Sequence, residues 1–143
     1  MKIAIVASKF NEFITQRLLK ACLDELARLK VAKKDIVVTW VPGSYEIPVT
    51  AVTLAKKKSI HAVICLGCII RGETFHFELV TRYAAKGIMD AAILTGKPVI
   101  FGVLATDTVE QANKRAQEKG QNKGRDAAVT AVEMVNTLQQ INS

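Results

Sequence analysis

The chain has 143 residues, half of them apolar and under a quarter charged, which suits one domain with a real core and excludes a disordered chain. Its net charge of +7 asks for anionic partners without choosing between phosphate esters, nucleic acid and an anionic surface. Three cysteines are too few and too odd for a disulfide scaffold, and no apolar run is long enough to predict a membrane span.

Met1 leads almost directly into residues 2–7, a short buried strand, with no secretory leader pattern, so the cytoplasm is the expected compartment. Asn11 can cap a helix reaching about Leu29, because Ile14, Leu18, Ala21, Cys22, Leu26 and Leu29 follow helical spacing. Residues 36–41 form a second strand stopped by Pro42 and Gly43, and a helix follows from about Glu46 or Pro48 to Lys57. Lys56, Lys57 and Lys58 complement the dipole at its end. Residues 60–66 make a third strand ending at Gly67. A long helix covers roughly 74–94, closed by Gly96, Lys97 and Pro98. Residues 99–104 are a fourth strand. Asp107 then caps a short helix, with Glu110 completing a capping box. The polar stretch 117–124 reads as a loop, and a last helix spans about 123–138.

Apolar strands alternating with amphipathic helices predict a parallel sheet covered on both faces, in an α/β architecture. In such sheets the site lies beyond the carboxyl ends of the strands. Chemistry is therefore expected at 8–11, 42–46, 67–76 and 105–107.

Gly67 and Gly72 bracket the predicted strand-to-helix turn, and Glu73 and Thr74 begin the helix after it. Free N–H groups there could hold an anion, although the glycine spacing alone favours ordinary turn chemistry. His76 falls in the first helical turn, where the dipole favours a neutral imidazole able to accept and return a proton; it could also be a surface or capping histidine. His61, at a strand start, reads as structural. Phe10 could stack on a flat heterocycle or staple the following helix. The cluster Lys114, Arg115, Lys119, Lys123 and Arg125 is a solvated helix face or supplies one or two phosphate ligands. Nucleic acid is not expected, because no aromatic follows Phe101 to stack on bases. Cys65 and Cys68 have redox spacing but sit in a strand and at its end, which argues against a thioredoxin-like role.

Taken together, Phe10-Asn11, residues 41–48, residues 67–76, Gly102-Val103-Leu104 with Thr106-Asp107-Thr108, Glu110-Gln111-Ala112, Arg115-Ala116 and Asn122-Lys123-Gly124 resemble the lumazine synthase family over nearly the whole chain. The resemblance implies a three-layer α/β/α sandwich with a four-stranded parallel, flavodoxin-like sheet, in a single domain over 1–143 that lacks the family's extra N-terminal strand. It implies condensation of 5-amino-6-(D-ribitylamino)uracil with 3,4-dihydroxy-2-butanone 4-phosphate to 6,7-dimethyl-8-ribityllumazine, with no cofactor and no metal. By position, His76 matches a proton shuttle. Phe10, Ser44, Tyr45, Glu46, Cys68, Ile69 and Ile70 match pyrimidine and ribityl contacts. Phe101 matches a pocket residue from a neighbouring subunit, and Lys123 a second cation nearby. Glu73, Thr74 and Arg115 match the phosphate side, with Arg115 the main ligand.

The implied partners are the two small-molecule substrates and further copies of the chain, as a homopentamer with shared sites. The short 117–124 loop permits a sixty-subunit shell, with riboflavin synthase a candidate guest; no membrane partner is expected. Tyr45 stands where the family has Phe, Asp126 where Glu is common, and Gln117 where Gly is typical, so the loop before Lys123 strains if that position needs a positive φ. The archaeal-type riboflavin synthase, which dismutates two lumazines on the same fold, and a non-catalytic lumazine- or flavin-binding shell protein are the competing readings. The phosphate-side residues and His76 argue against both.

Overall fold

Four apolar runs and their intervening amphipathic stretches assemble, in a computed structural model describing residues 1–143, into one parallel sheet between two helical layers. In chain order the elements are β1 (Ile3–Ser8), α1 (Glu12–Arg28), β2 (Ile36–Val41), α2 (Ile47–Ala55), β3 (Ala62–Ile70), α3 (His76–Thr95), β4 (Val99–Thr106), α4 (Val109–Lys114) and α5 (Lys123–Asn142). Short 3-10 turns at Lys33–Asp35 and Ser44–Glu46 precede β2 and α2. The strand order is β2-β1-β3-β4, and every neighbouring pair is parallel. This is the expected three-layer arrangement.

Side-chain alternation along the strands builds two cores. Ile3 and Ile5 of β1 join Ile64, Leu66 and Cys68 of β3 beneath α1 and α5; Ala4 and Val6 join Val63, Cys65 and Ile69 beneath α2 and α3. On α1 the buried stripe is Ile14, Leu18, Ala21, Cys22 and Leu26, as its spacing predicts. Glu25 is also buried there and is paired with Arg28. Gly124, in the first turn of α5, lets that helix close on α1: a Cβ there would sit 2.6 Å from the carbonyl carbon of Leu18.

Several expected boundaries move by a few residues, three of them near the site. β3 does not stop at Gly67 but runs to Ile70, because residues 68–70 continue in register with Leu104, Ala105 and Thr106 of a lengthened β4. Gly67 is a strand residue whose missing side chain admits others: a Cβ would lie 2.6 Å from the Oγ of Ser8 and 2.9 Å from that of Ser44. The turn is therefore 71–75. Glu73 and Thr74 lie in it, and α3 begins at His76. Finally, α4 is capped by Thr108 with Gln111 in a complete capping box, one residue after the expected Asp107 and Glu110 pair. Asp107 is engaged elsewhere. At the other end of α3, Gly96 adopts a left-handed φ of 67° and closes the helix as predicted.

The direction of winding reverses between β1 and β3, since β1 connects to β2 on one side while β3 and β4 lie on the other. The crevice at the carboxyl ends of those two strands is the switch point where such sheets bind ligands.

Candidate active site

Beyond the switch point the ends of β1 and β2 stay zipped: Lys9 N–H donates to Val41 O at 2.8 Å and Phe10 N–H to Pro42 O at 3.0 Å. Phe10 is held by its backbone while its ring is 72% exposed, so it presents an open aromatic face and is no staple for α1. Asn11 does not cap α1 with its side chain. It sits at the helix entrance in the left-handed region (φ 57°), and its Nδ2 donates to Cys68 O at 2.9 Å, tying that entrance to the end of β3.

The segment after β2 brings three expected residues to the same end. Ser44 is buried beside Gly67, Tyr45 is exposed, and Glu46 is half-buried, its carboxylate near Gly43. The 3-10 turn places them, with Glu46 N–H on Gly43 O at 3.2 Å; Ile47 and the Pro48 ring then start α2.

The next segment is unusual in its backbone. Arg71 N–H donates to Thr106 O at 2.9 Å, but none of the N–H groups of Gly72, Glu73, Thr74 and Phe75 donates to any acceptor in the chain. Only His76 N–H has a partner in the chain, Thr74 Oγ1 at a long 3.4 Å. These free donors are exposed just before the positive end of a 20-residue helix whose first residue is His76, an arrangement able to hold an anion.

A second set gathers on the outer edge of β4, the last strand of the sheet. A groove of about 340 Å³ there is lined by Phe101, Arg115, Lys123, Gln121 and Asp126 with the end of β4. Arg115 closes α4, its Nη1 donating to Gln111 O at 3.2 Å. Its backbone O accepts from Lys123 N–H at 3.0 Å, so the two cations are neighbours across the loop. The basic cluster is thus spread over the end of α4, the loop and the start of α5 rather than along one helix face. Asn122, buried at its centre, caps α5 by accepting from the N–H groups of Gly124 and Arg125, and Arg125 holds Glu118 O and Gly120 O. Gln117 does not need a positive φ and bears no strain. None of Phe10, Ser44, Tyr45, Glu46, Glu73, Thr74 or His76 lines this groove. The expected site residues therefore form two groups in the chain, one at the strand ends and one on an outer edge.

His61 accepts Lys2 N–H on its Nδ1 at 2.9 Å and so trims the start of β1. Cys65 and Cys68 point into opposite cores. Burial pushes the Cys22 thiol up to about 12 and that of Cys68 up to about 11, and raises Cys65 as well. All three should resist a thiol-labelling reagent at pH 8 in the folded protein and react promptly in denaturant. Prompt labelling of the folded chain would contradict this burial.

Sequence reasoning gave no site role to Arg71 or Glu78 and read Asp107 only as a helix cap. Arg71 Nε donates to Asp107 at 2.7 Å and Nη1 to Glu78 at 2.7 Å, while the guanidinium lies 4.5 Å from the centre of the Phe77 ring. The hydrogen bonds to Asp107 and then Glu78 strengthen its hold on its proton. A cation next to a glycine in a candidate anion turn was the available signal; its partner 36 residues away was not visible.

Among known proteins, the family model described as 6,7-dimethyl-8-ribityllumazine synthase matches residues 1–139. A protein of that same description from Syntrophus aciditrophicus (strain SB) is 53% identical over 141 residues, covering 99% of this chain and 92% of that protein.

Proposed function

The chain belongs to the 6,7-dimethyl-8-ribityllumazine synthase family, and from that membership we propose how its residues share the work. The enzyme condenses 5-amino-6-(D-ribitylamino)uracil with 3,4-dihydroxy-2-butanone 4-phosphate, the penultimate step of riboflavin biosynthesis. The amine adds to the ketone and loses water to form an imine, phosphate leaves, the ring closes and a second water is lost.

The observation that carries the assignment is the run of undonated N–H groups at residues 72–75 opening α3 beside His76. The phosphate of the ketone substrate sits on those donors, aided by Thr74 and by Arg115, with Glu73 at the rim. His76, at the edge of the same turn, moves protons between the amine, the ketone oxygen and the carbon that loses phosphate. The pyrimidine lies on the open face of Phe10. Ser44, Tyr45 and Glu46 hold the ring and ribityl chain, Glu46 accepting from hydroxyls, and Cys68, Ile69 and Ile70 border the ring.

Phe101, Arg115 and Lys123 complete the site from a neighbouring copy. Their position on an outer strand edge supports this, as do the exposed apolar side chains Met89, Ile93 and Leu94 on α3, which a neighbour would cover. We take the assembly to be a pentamer working in the cytoplasm. A sixty-subunit shell, with riboflavin synthase as a guest, is the larger form that the short 117–124 loop allows.

Positioning two reactants can supply several kcal/mol of barrier reduction, whereas a positioned histidine adds roughly 10²–10⁴-fold. His76→Ala should therefore lower kcat by up to that factor and leave measurable turnover, with little change in KM. Lumazine formation and phosphate release, followed together on purified protein and both substrates, check this, and sedimentation of the same sample reports the assembly. An unchanged rate in His76→Ala would remove the proton shuttle from the scheme.

A further inference from the structure

The phosphate turn has a weakness. Residues 72–75 make no backbone hydrogen bonds as donors, so only the two ends of the turn hold it in shape. Arg71 stands at one end and reaches every element the turn joins. Its own backbone follows directly on β3 and donates to Thr106 O of β4, its Nε grips Asp107 just past β4, and its Nη1 grips Glu78 in the first turn of α3. Its plane rests on Phe77, which is itself packed into the core beneath α3. A single exposed ion pair contributes little. Here one rigid fork closes two pairs and a stacking contact at once, which a flexible ammonium cannot reproduce.

The arrangement also has an electrostatic consequence. Asp107 and Glu78 place two carboxylates beside a turn meant for a phosphate ester. Unpaired, they would repel the dianion; Arg71 pairs with both and offsets one of the two negative charges.

Resting on the phosphate-turn reading above, we infer that Arg71 is a positioning residue for that turn: clasped by Asp107 and Glu78 over Phe77, its guanidinium holds residues 72–75 in the shape that binds phosphate and screens it from two carboxylates. It touches no reacting atom.

The test compares Arg71→Met, Arg71→Lys, Asp107→Asn and Arg71→Met with Asp107→Asn in the assembled enzyme. Steady-state kinetics are run on each substrate, inorganic phosphate serves as a competitive probe, and amide exchange is followed at 72–75. Arg71→Met should raise the KM of the phosphate substrate and the inhibition constant of phosphate together, roughly ten- to a hundredfold. The KM of the pyrimidine amine should stay put and exchange at 72–75 should quicken. Adding Asp107→Asn should recover part of the affinity but none of the exchange protection, and Arg71→Lys should likewise recover affinity in part. Should Arg71→Met fail to fold, Arg71→Lys must raise the same two constants in smaller measure, and Asp107→Asn alone, at an exposed site, must quicken exchange at 72–75. Faster exchange with unchanged phosphate affinity, or unchanged values of both, would overturn the inference while leaving the turn's role standing. Loss of phosphate competition in the parent enzyme would instead sink the phosphate-turn reading itself.

Discussion

Arg115→Ala should raise the KM of the phosphate substrate roughly ten- to a hundredfold, the worth of a charge-assisted hydrogen bond to an anion, and lower kcat far less. The guanidinium carries no structural load that would confuse the result: its one bond within the chain is to Gln111 O at 3.2 Å, and it is exposed. Equal, complete loss of turnover in Arg115→Ala and His76→Ala with binding intact would contradict the separation of phosphate binding from proton transfer. The same two variants examine the shared site. If His76 of one copy works with Arg115 of the next, rings assembled from an equal mixture of the two variants contain some interfaces where both residues are intact, about a quarter of them in a random mixture. Activity above that of either variant alone is expected; mixed rings no better than the parents would place the whole site within one copy.

Gly124→Ala should cost the fold about 3 kcal/mol or more. The backbone of Gly124 is ordinary and not left-handed, so helix propensity alone favours alanine by about 1 kcal/mol. Opposing this, the added methyl would collide with the Leu18 carbonyl of α1, which is backbone inside a helix and has little room to move. The clash is the larger effect. Separating α5 from α1 would also disturb Asn122 and the adjoining Lys123, so loss of stability should come with weaker phosphate binding. Urea unfolding of the purified variant gives the answer, and a midpoint equal to that of the parent would refute the close approach.

The architecture was legible because its signals are local. Each strand is an apolar run and α1 shows its buried stripe in spacing alone, so the layer order follows without reference to distant residues. The region 67–75 was not legible for the opposite reason. Gly67 looks like punctuation, yet it is a strand residue emptied to admit hydroxyls from Ser8 and Ser44, which arrive from two other segments. Asp107 and Thr108 are both sound caps, each with a suitable partner three residues on; the choice between them turns on Arg71, which recruits Asp107 from across the turn. Phe10, His76 and Arg115 were identifiable as candidates one at a time, but their division between the strand ends and an outer edge of the sheet belongs to three dimensions.

Asn11 illustrates how narrowly such a junction can be specified. A left-handed residue there suits glycine, asparagine or aspartate, and a donor long enough to reach the Cys68 carbonyl suits asparagine or glutamine. Only asparagine meets both demands. Glycine would keep the path of the chain and let the end of β3 drift from the entrance to α1, while aspartate would set a negative oxygen against a carbonyl. The tolerance of this position to substitution is thus set by the overlap of two unrelated requirements, and the tie between the entrance of α1 and the end of β3 depends on it.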